Sequence, residues 1–339
     1  MDFEFGVEIE AIVEPHMIRY PFNRYFYFER LAAGINQRGG DAVADAGSEE
    51  RRKHPEHYHT SWWITDDNSL GDVDYPGVTL EGVSPKLRTD RDWESEVDRF
   101  WDSMKAVFHM PVRSPKCGSH VHISPASREF TLSELKRLAF GVLFYETATI
   151  PILPRERRDH EYCVRNSERS PILKRLLLAT NGPNDDGLQA VASCINKIKS
   201  NQDIINLIQG DEKDNRRVLW NFANLQEGGS GSVEFRGGRG LRGPVRTKRW
   251  IAFAVAFVYM VLNKNDLDRV LGPGGHELPT TMVLYHELLG AAREFGMSHM
   301  PESYMVMNEE LRTPVDNDVP PVSDTDEDTD SSTMSKPPS

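Results

Sequence analysis

Cysteine is scarce in this chain: Cys117, Cys163 and Cys194 are the only three in 339 residues. An odd, unevenly spaced set excludes a disulfide framework and fits a reducing compartment, read here as the cytoplasm. Long hydrophobic runs are missing as well. The longest, residues 250–262, is too short to cross a bilayer, so no membrane partner is expected. The opening MDFEFGVEIE is acidic from its second residue and lacks the pattern of a signal or transit peptide. Positive charge is in deficit: 40 Lys and Arg against 52 Asp and Glu leave a formal net charge of −12. That balance argues against a nucleic-acid partner. No Walker A, Rossmann GxGxxG or GxSxG element occurs, so the common nucleotide folds and the α/β-hydrolases lose support.

What remains has the composition and length of a globular protein able to bury a sizeable core. Its acidity is uneven. Asp316, Asp318, Asp324, Asp326, Glu327, Asp328 and Asp330 face Lys336 alone, so residues 316–339 carry −6 of the −12. Beyond residue 313 the Pro/Asp/Ser/Thr-rich sequence cannot bury enough to fold, which predicts one folded domain over 1–312 and a disordered acidic tail over 313–339. Strands are expected at residues 3–13, 62–65, 78–83, 119–124, 218–224 and 232–236. Helices are expected at 23–38 with Asn23 as N-cap, 92–108, 131–150 behind a Thr131/Glu134 capping box, 188–208, 247–262 and 281–295. Residues 41–60 are polar and aperiodic, which predicts a mobile insertion loop; His54, His57 and His59 are read as part of it. Strands and helices do not alternate strictly and short turns join several strands. The pattern predicts an α+β fold with a mainly antiparallel sheet.

Three distant segments share one pattern, two ionisable residues separated by one apolar residue: Glu8-Ile9-Glu10, His120-Val121-His122 and Glu234-Phe235-Arg236. Alternate side chains of a strand point to opposite faces. Each segment therefore offers charged or imidazole groups on one face and an apolar core face on the other. Two glutamates about 7 Å apart on one strand face repel unless a cation neutralises them. Mostly carboxylate donors with an imidazole suit Mg²⁺ or Mn²⁺ carrying a nucleotide triphosphate. The same spacing also serves an edge strand in solvent, or a pair with one core and one exposed histidine. After Glu234 and Arg236 comes GGRGLRGPVRTKR, whose Arg239, Arg242, Arg246, Lys248 and Arg249 suggest phosphate or carboxylate binding, or else a solvated loop. Glu81 in GVTLEGVSP offers a further carboxylate. Asp66 and Asp67 in WWITDDNSL offer substrate contacts or merely a turn.

Taken in order, FGVEIE, WWITDDNSL, TLEGVSP, CGSHVHIS, NFANL and SVEFRGGRG make residues 3–240 resemble the amidoligase family. That family belongs to the glutamine synthetase and glutamate–cysteine ligase superfamily of carboxylate–amine ligases. The resemblance implies a curved antiparallel sheet forming a glutamine synthetase-like funnel, with metal ions and ATP phosphates on its concave face and helices on its convex face. It implies Glu8, Glu10, Glu81, His120 and Glu234 as metal ligands, Arg236 as the arginine steadying the transferring phosphate, and His122 as a second active-site histidine. Asn221 and Asn224 fall in a segment expected to contact the nucleotide, alongside Arg236 and Arg239. The resemblance does not set the base; Asp66 and Asp67 are both candidates, with Asp67 taken as the catalytic residue. The implied reaction joins a small-molecule carboxylate, such as an amino acid or peptide, to an amine at the expense of ATP. Members of that superfamily often assemble, which implies a homo-oligomer. GGRGLRG replaces the family's more usual Gly-Thr, which bears on substrate identity. Two other readings stay open from the residues: a zinc metallohydrolase built on His120 and His122, and a nucleotide-binding module without turnover.

Overall fold

The alternation in residues 3–13 makes β1 (Phe3–Val13), which buries Phe3, Phe5, Val7, Ile9, Ala11 and Val13 on one face. A computed structural model of the chain describes residues 2–45, 59–180, 185–210, 215–273 and 277–308. In it β1 is the central strand of a sheet ordered β2-β3-β4-β1-β6-β8-β7. The others are β2 (Ala42–Asp45), β3 (Trp62–Thr65), β4 (Val78–Val83), β5 (Leu87–Arg88, beside the start of β1), β6 (Gly118–Pro125), β7 (Trp220–Asn221) and β8 (Val233–Arg239). Every ladder is antiparallel except β2 with β3.

One face of the sheet is apolar and carries the helices. Val121, Ile123, Val233 and Phe235 join the β1 row there. Helices α1 (Arg24–Gln37), α2 (Glu94–Val107) and α6 (Pro244–Asn263) complete the core around them. Phe235 stacks on Trp250 at 5.8 Å, Trp220 on Phe257 at 4.7 Å and Trp62 on Phe100 at 4.4 Å. Between α2 and α6, the Trp101 indole N–H donates to Thr247 Oγ1 at 2.8 Å, so the buried ring keeps its polar end paired. Helices α3 (Leu132–Phe144), α4 (Asp185–Lys197), α5 (Asn201–Gln209) and α7 (Thr281–Glu294) pack outside this layer. Among the described residues no helix is long and apolar enough to cross a membrane.

The structure departs from expectation at four places. Residues 42–45, read as part of a loop over 41–60, instead form β2, because Trp62 and its neighbours offer an open parallel edge; residues 46–58, with His54 and His57, lie outside the described residues, as does the whole tail over 313–339. The helix expected over 188–208 is two helices, α4 and α5, because Ser200 caps a new start by accepting from the Asp203 N–H. Helix α3 keeps its capping box but ends at Phe144, and a short turn, Glu146–Thr149, follows. Of residues 218–224 only Trp220–Asn221 pairs as strand, and 223–225 tighten into a 3₁₀ turn.

Candidate active site

Since the apolar face of the sheet is claimed by helices, the other face gathers the polar side chains. Residues opposite one another across a ladder share a face. The register sets Glu8 opposite His120, His122 opposite Glu234, Asn221 opposite Glu234 and Glu10 opposite Glu81. The three motifs thus meet on β1, β6 and β8 as neighbours. Contacts follow from that register. Glu8 takes a histidine on each oxygen: His120 Nδ1 lies 2.8 Å from Oε2 and His122 Nε2 lies 3.0 Å from Oε1. His120 also stands 3.6 Å from Glu10 and 3.5 Å from Glu234. The Arg236 guanidinium donates to Glu234 Oε1, and Asn221 Nδ2 donates to Oε2 at 2.6 Å.

These contacts set the charges. Burial favours a neutral Glu8, but His122 and His120 outweigh it and hold the carboxyl well below the usual range. Burial likewise works against charging His122, yet Glu234 and Glu8 raise it to about 9. Glu234 is also lowered: burial opposes this, and Arg236 with the two histidines prevails. Glu10 goes the other way. It is raised by burial, with Asp67 adding a like charge, and His120, the Gly118 N–H at 2.6 Å and Arg157 do not outweigh them.

One donor atom each from Glu8, His122 and Glu234 lies within 4.8 Å of the other two, close enough to share a metal ion. Two carboxylate oxygens and an imidazole nitrogen make a donor set that fits Mg²⁺ or Mn²⁺. Sequence reasoning put His120 among the ligands and gave His122 a catalytic part; this group contains His122. His120, buried, bridges the carboxylates instead. Glu10 lies one step along β1, and Glu81 shares its face on β4.

The remaining candidates divide. Asn221 is buried and fully engaged, since its Oδ1 also accepts from Gln209 Nε2 at 3.1 Å and from the Ala223 N–H at 2.9 Å. It holds Glu234 in place. Asn224 reaches His122 Nδ1 at 3.3 Å and lines a cavity of about 470 Å³ with Glu8, His122, Ser232, Gly228, Gly229 and Ser230; His59 and Lys86 stand at its wall. Asp66 pairs with Arg24 at 3.1 Å, and Asp67 caps the turn Asn68–Leu70 by accepting from the Ser69 N–H at 2.7 Å.

Arg239 reaches the polar face through a β-bulge. Strict alternation from Phe235 would put it on the core face, but the β6–β8 register shifts between Ser119 and Val121 and leaves Arg239 opposite Gly118, whose neighbour on β1 is Glu10. It pairs there with Glu156 at 3.3 Å. The rest of the basic run disperses: Lys248 bonds Asp98 on α2 at 2.6 Å, and Arg249 acts on Tyr285 of α7.

Arg157 was missed. It sits in a short turn, Arg155–Arg157, in a polar stretch without periodicity, so nothing in its spacing marked it. It is 2% exposed, and its charge acts on Glu10. Ser232, 3.3 Å from His122 Nδ1, was missed too; the alternation that placed Glu234 on the polar face also places it there, two residues earlier.

No curated protein matches this chain. The family described as "Putative amidoligase enzyme" matches residues 2–258, a span holding every strand and every residue of the site. That description is of an amide-bond-forming ligase, and a match of this extent shows that the chain belongs to the amidoligase family.

Proposed function

We propose that this protein is an ATP-dependent carboxylate–amine ligase of the reducing cytoplasm, working on a glutamine synthetase-like sheet and forming an amide through an acyl phosphate. The observation that carries the reading is the convergence of Glu8, His122 and Glu234 on one polar face with Arg236 bonded to Glu234. Glu8, His122 and Glu234, with Glu10 and Glu81 alongside, would hold Mg²⁺ or Mn²⁺. When bound, such a cation neutralises triphosphate charge. A zinc hydrolase is less well supported, because the two histidines take opposite oxygens of Glu8 instead of converging, and the metal-grade group of described residues contains one of them.

The chain's own residues then have distinct tasks. Arg236 lies where it can balance charge on the transferring phosphoryl group as the acid's carboxylate oxygen bonds to the γ-phosphorus and ADP leaves. The cavity at Asn224 and Ser232 offers room for a substrate directly beside Glu8 and His122. The amine nitrogen next bonds to the acyl carbon, phosphate leaves, and the amine proton passes to a base. We assign that part to Asp67, whose charge acts on Glu10, and not to Asp66, which is paired with Arg24.

Purified protein should release ADP only when Mg²⁺ or Mn²⁺, an amino-acid-like carboxylate and an amine are all supplied. Glu8→Gln and Glu234→Gln should each abolish metal-dependent nucleotide binding in a thermal-shift assay. Wild-type nucleotide affinity in both variants would sink the reading.

A further inference from the structure

Arg157, Arg236 and Arg239 stand on the polar face beside β6, and two have carboxylate partners: Arg236 on Glu234 and Arg239 on Glu156. Arg157 has none at ion-pair distance among the described residues. Its place is set by Gly118. A Cβ built there would point to the polar face and meet Arg157 NH2 at 3.0 Å, Cζ at 3.2 Å and NH1 at 3.3 Å, so the guanidinium lies directly over this glycine. Glu10 is Gly118's neighbour across the β1 ladder and accepts its N–H. Arg157 donates from NH2 to the Arg236 carbonyl at 2.9 Å, while its Nε–H is buried without a partner.

A guanidinium has five N–H donors and stays charged in a protein interior. Burying that charge without a counter-ion is costly, and such groups are retained where an anion offsets them. Glu10 is close enough to feel Arg157, but the two share no hydrogen bond or ion pair among the described residues. The surrounding segment is tied down through its backbone. The Cys163 thiol donates to the Arg157 carbonyl at 3.0 Å, and Tyr162 O accepts from Arg236 Nε at 3.3 Å. A buried guanidinium fork beside a second arginine is a geometry suited to an oxyanion.

We infer that Arg157 is an oxyanion-binding residue of this site, receiving a phosphoryl or carboxylate group of a substrate over Gly118, on the Glu10 side of Arg236. The inference rests on the ligase reading for what the oxyanion belongs to, and on the geometry alone for its existence. It also bears on Gly118: a Cβ there would press on the guanidinium at 3.0–3.3 Å and make it give way by a few tenths of an ångström.

The test uses the full chain and three variants, Arg157→Lys, Arg157→Met and Gly118→Ala, each first checked for a cooperative unfolding transition. Binding of inorganic phosphate and of ADP with Mg²⁺ is measured by calorimetry, and KM for the carboxylate in the ADP-release assay. Loss of one charge-assisted contact weakens binding about tenfold or more. Arg157→Met should show that loss in full, and Arg157→Lys should recover part of it, because a lysine keeps the charge without the fork. In Gly118→Ala the arginine is intact but pushed aside, and binding should fall there too. A loss confined to phosphate and ADP assigns the phosphoryl group; a rise confined to the carboxylate KM assigns the acid. If Arg157→Met does not fold, Arg157→Lys and Gly118→Ala decide. Folded variants with wild-type affinity for phosphate and ADP and wild-type KM overturn the inference. Wild-type protein that binds phosphate through Arg157 without ever releasing ADP overturns the ligase reading and leaves Arg157 assigned.

Discussion

Asn221 and Asn224 are three residues apart and equally plausible nucleotide contacts in the sequence, yet their surroundings separate them. Asn221 satisfies buried Glu234 and Gln209 and the half-buried Ala223 N–H at once. Asn221→Ala leaves those groups unpaired and should cost about 1–3 kcal/mol in urea unfolding, the penalty of orphaned buried donors and acceptors. Asn224 is half-buried at the cavity wall, so Asn224→Ala should change ligand binding while costing less than about 1 kcal/mol of stability. Equal destabilisation by both would refute the distinction. Cysteine chemistry follows the same logic of surroundings. Burial, and after it Glu10, push the Cys117 thiol up to about 12, and burial raises Cys163 too. The thiolate is the reactive form. Alkylation of folded protein near pH 8 should therefore label half-buried Cys194 first, with Cys117 and Cys163 reacting only on unfolding; mass spectrometry of the labelled peptides reads this directly.

Strands β1, β3 and β4 were legible to the residue: β1 from period-two alternation with an unbroken core row, and β3 and β4 as short apolar, β-prone runs bounded by turn residues. What stayed hidden depends on distant partners. β2 is four residues of AVAD that become strand only because β3 lies beside them, and the bulge that turns Arg239 over arises in the pairing of β6 with β8. That bulge makes a testable claim. A Cβ on Gly238 would stand 2.1 Å from Ser119 Oγ and 2.7 Å from its carbonyl oxygen, so Gly238→Ala must push β6 and β8 apart. It should lower stability by about 1–3 kcal/mol, in the range of overpacking, and weaken phosphate binding as Arg236 and Arg157 shift. The start of α3 gives a pH effect. Arg128, with Thr131 after it, lowers Glu134 to about 2 in the fold, against 4.5 for the free group. A depressed carboxylate contributes stability that is present above its unfolded value and lost as pH falls through its folded value. Wild-type stability should therefore decline more steeply between about pH 4.5 and 2 than that of Glu134→Gln, by an amount kept small by the solvent around this ion pair. Parallel acid profiles in the two proteins would show that the cap has no electrostatic part.

Across the whole chain, charge and chemistry are divided between separate regions. The candidate site residues lie between Glu8 and Arg239, whereas residues 316–339 hold seven carboxylates against one lysine. Ending the chain at Thr313 changes the formal net charge from −12 to −6, since the removed part carries −6. Every described element ends by Asn308, so the truncated protein should unfold at the same urea concentration as the full chain. Its kinetics should differ in one respect. A nucleotide triphosphate and a carboxylate are both anions, and like charge on a protein slows their approach. Truncation should leave turnover at saturation intact and make association with nucleotide equal or faster at low ionic strength. The difference should close near 0.15 M salt, where screening reaches only about 8 Å. Slower association after truncation, or a large fall in saturated turnover, would show that the acidic residues take part in the site itself.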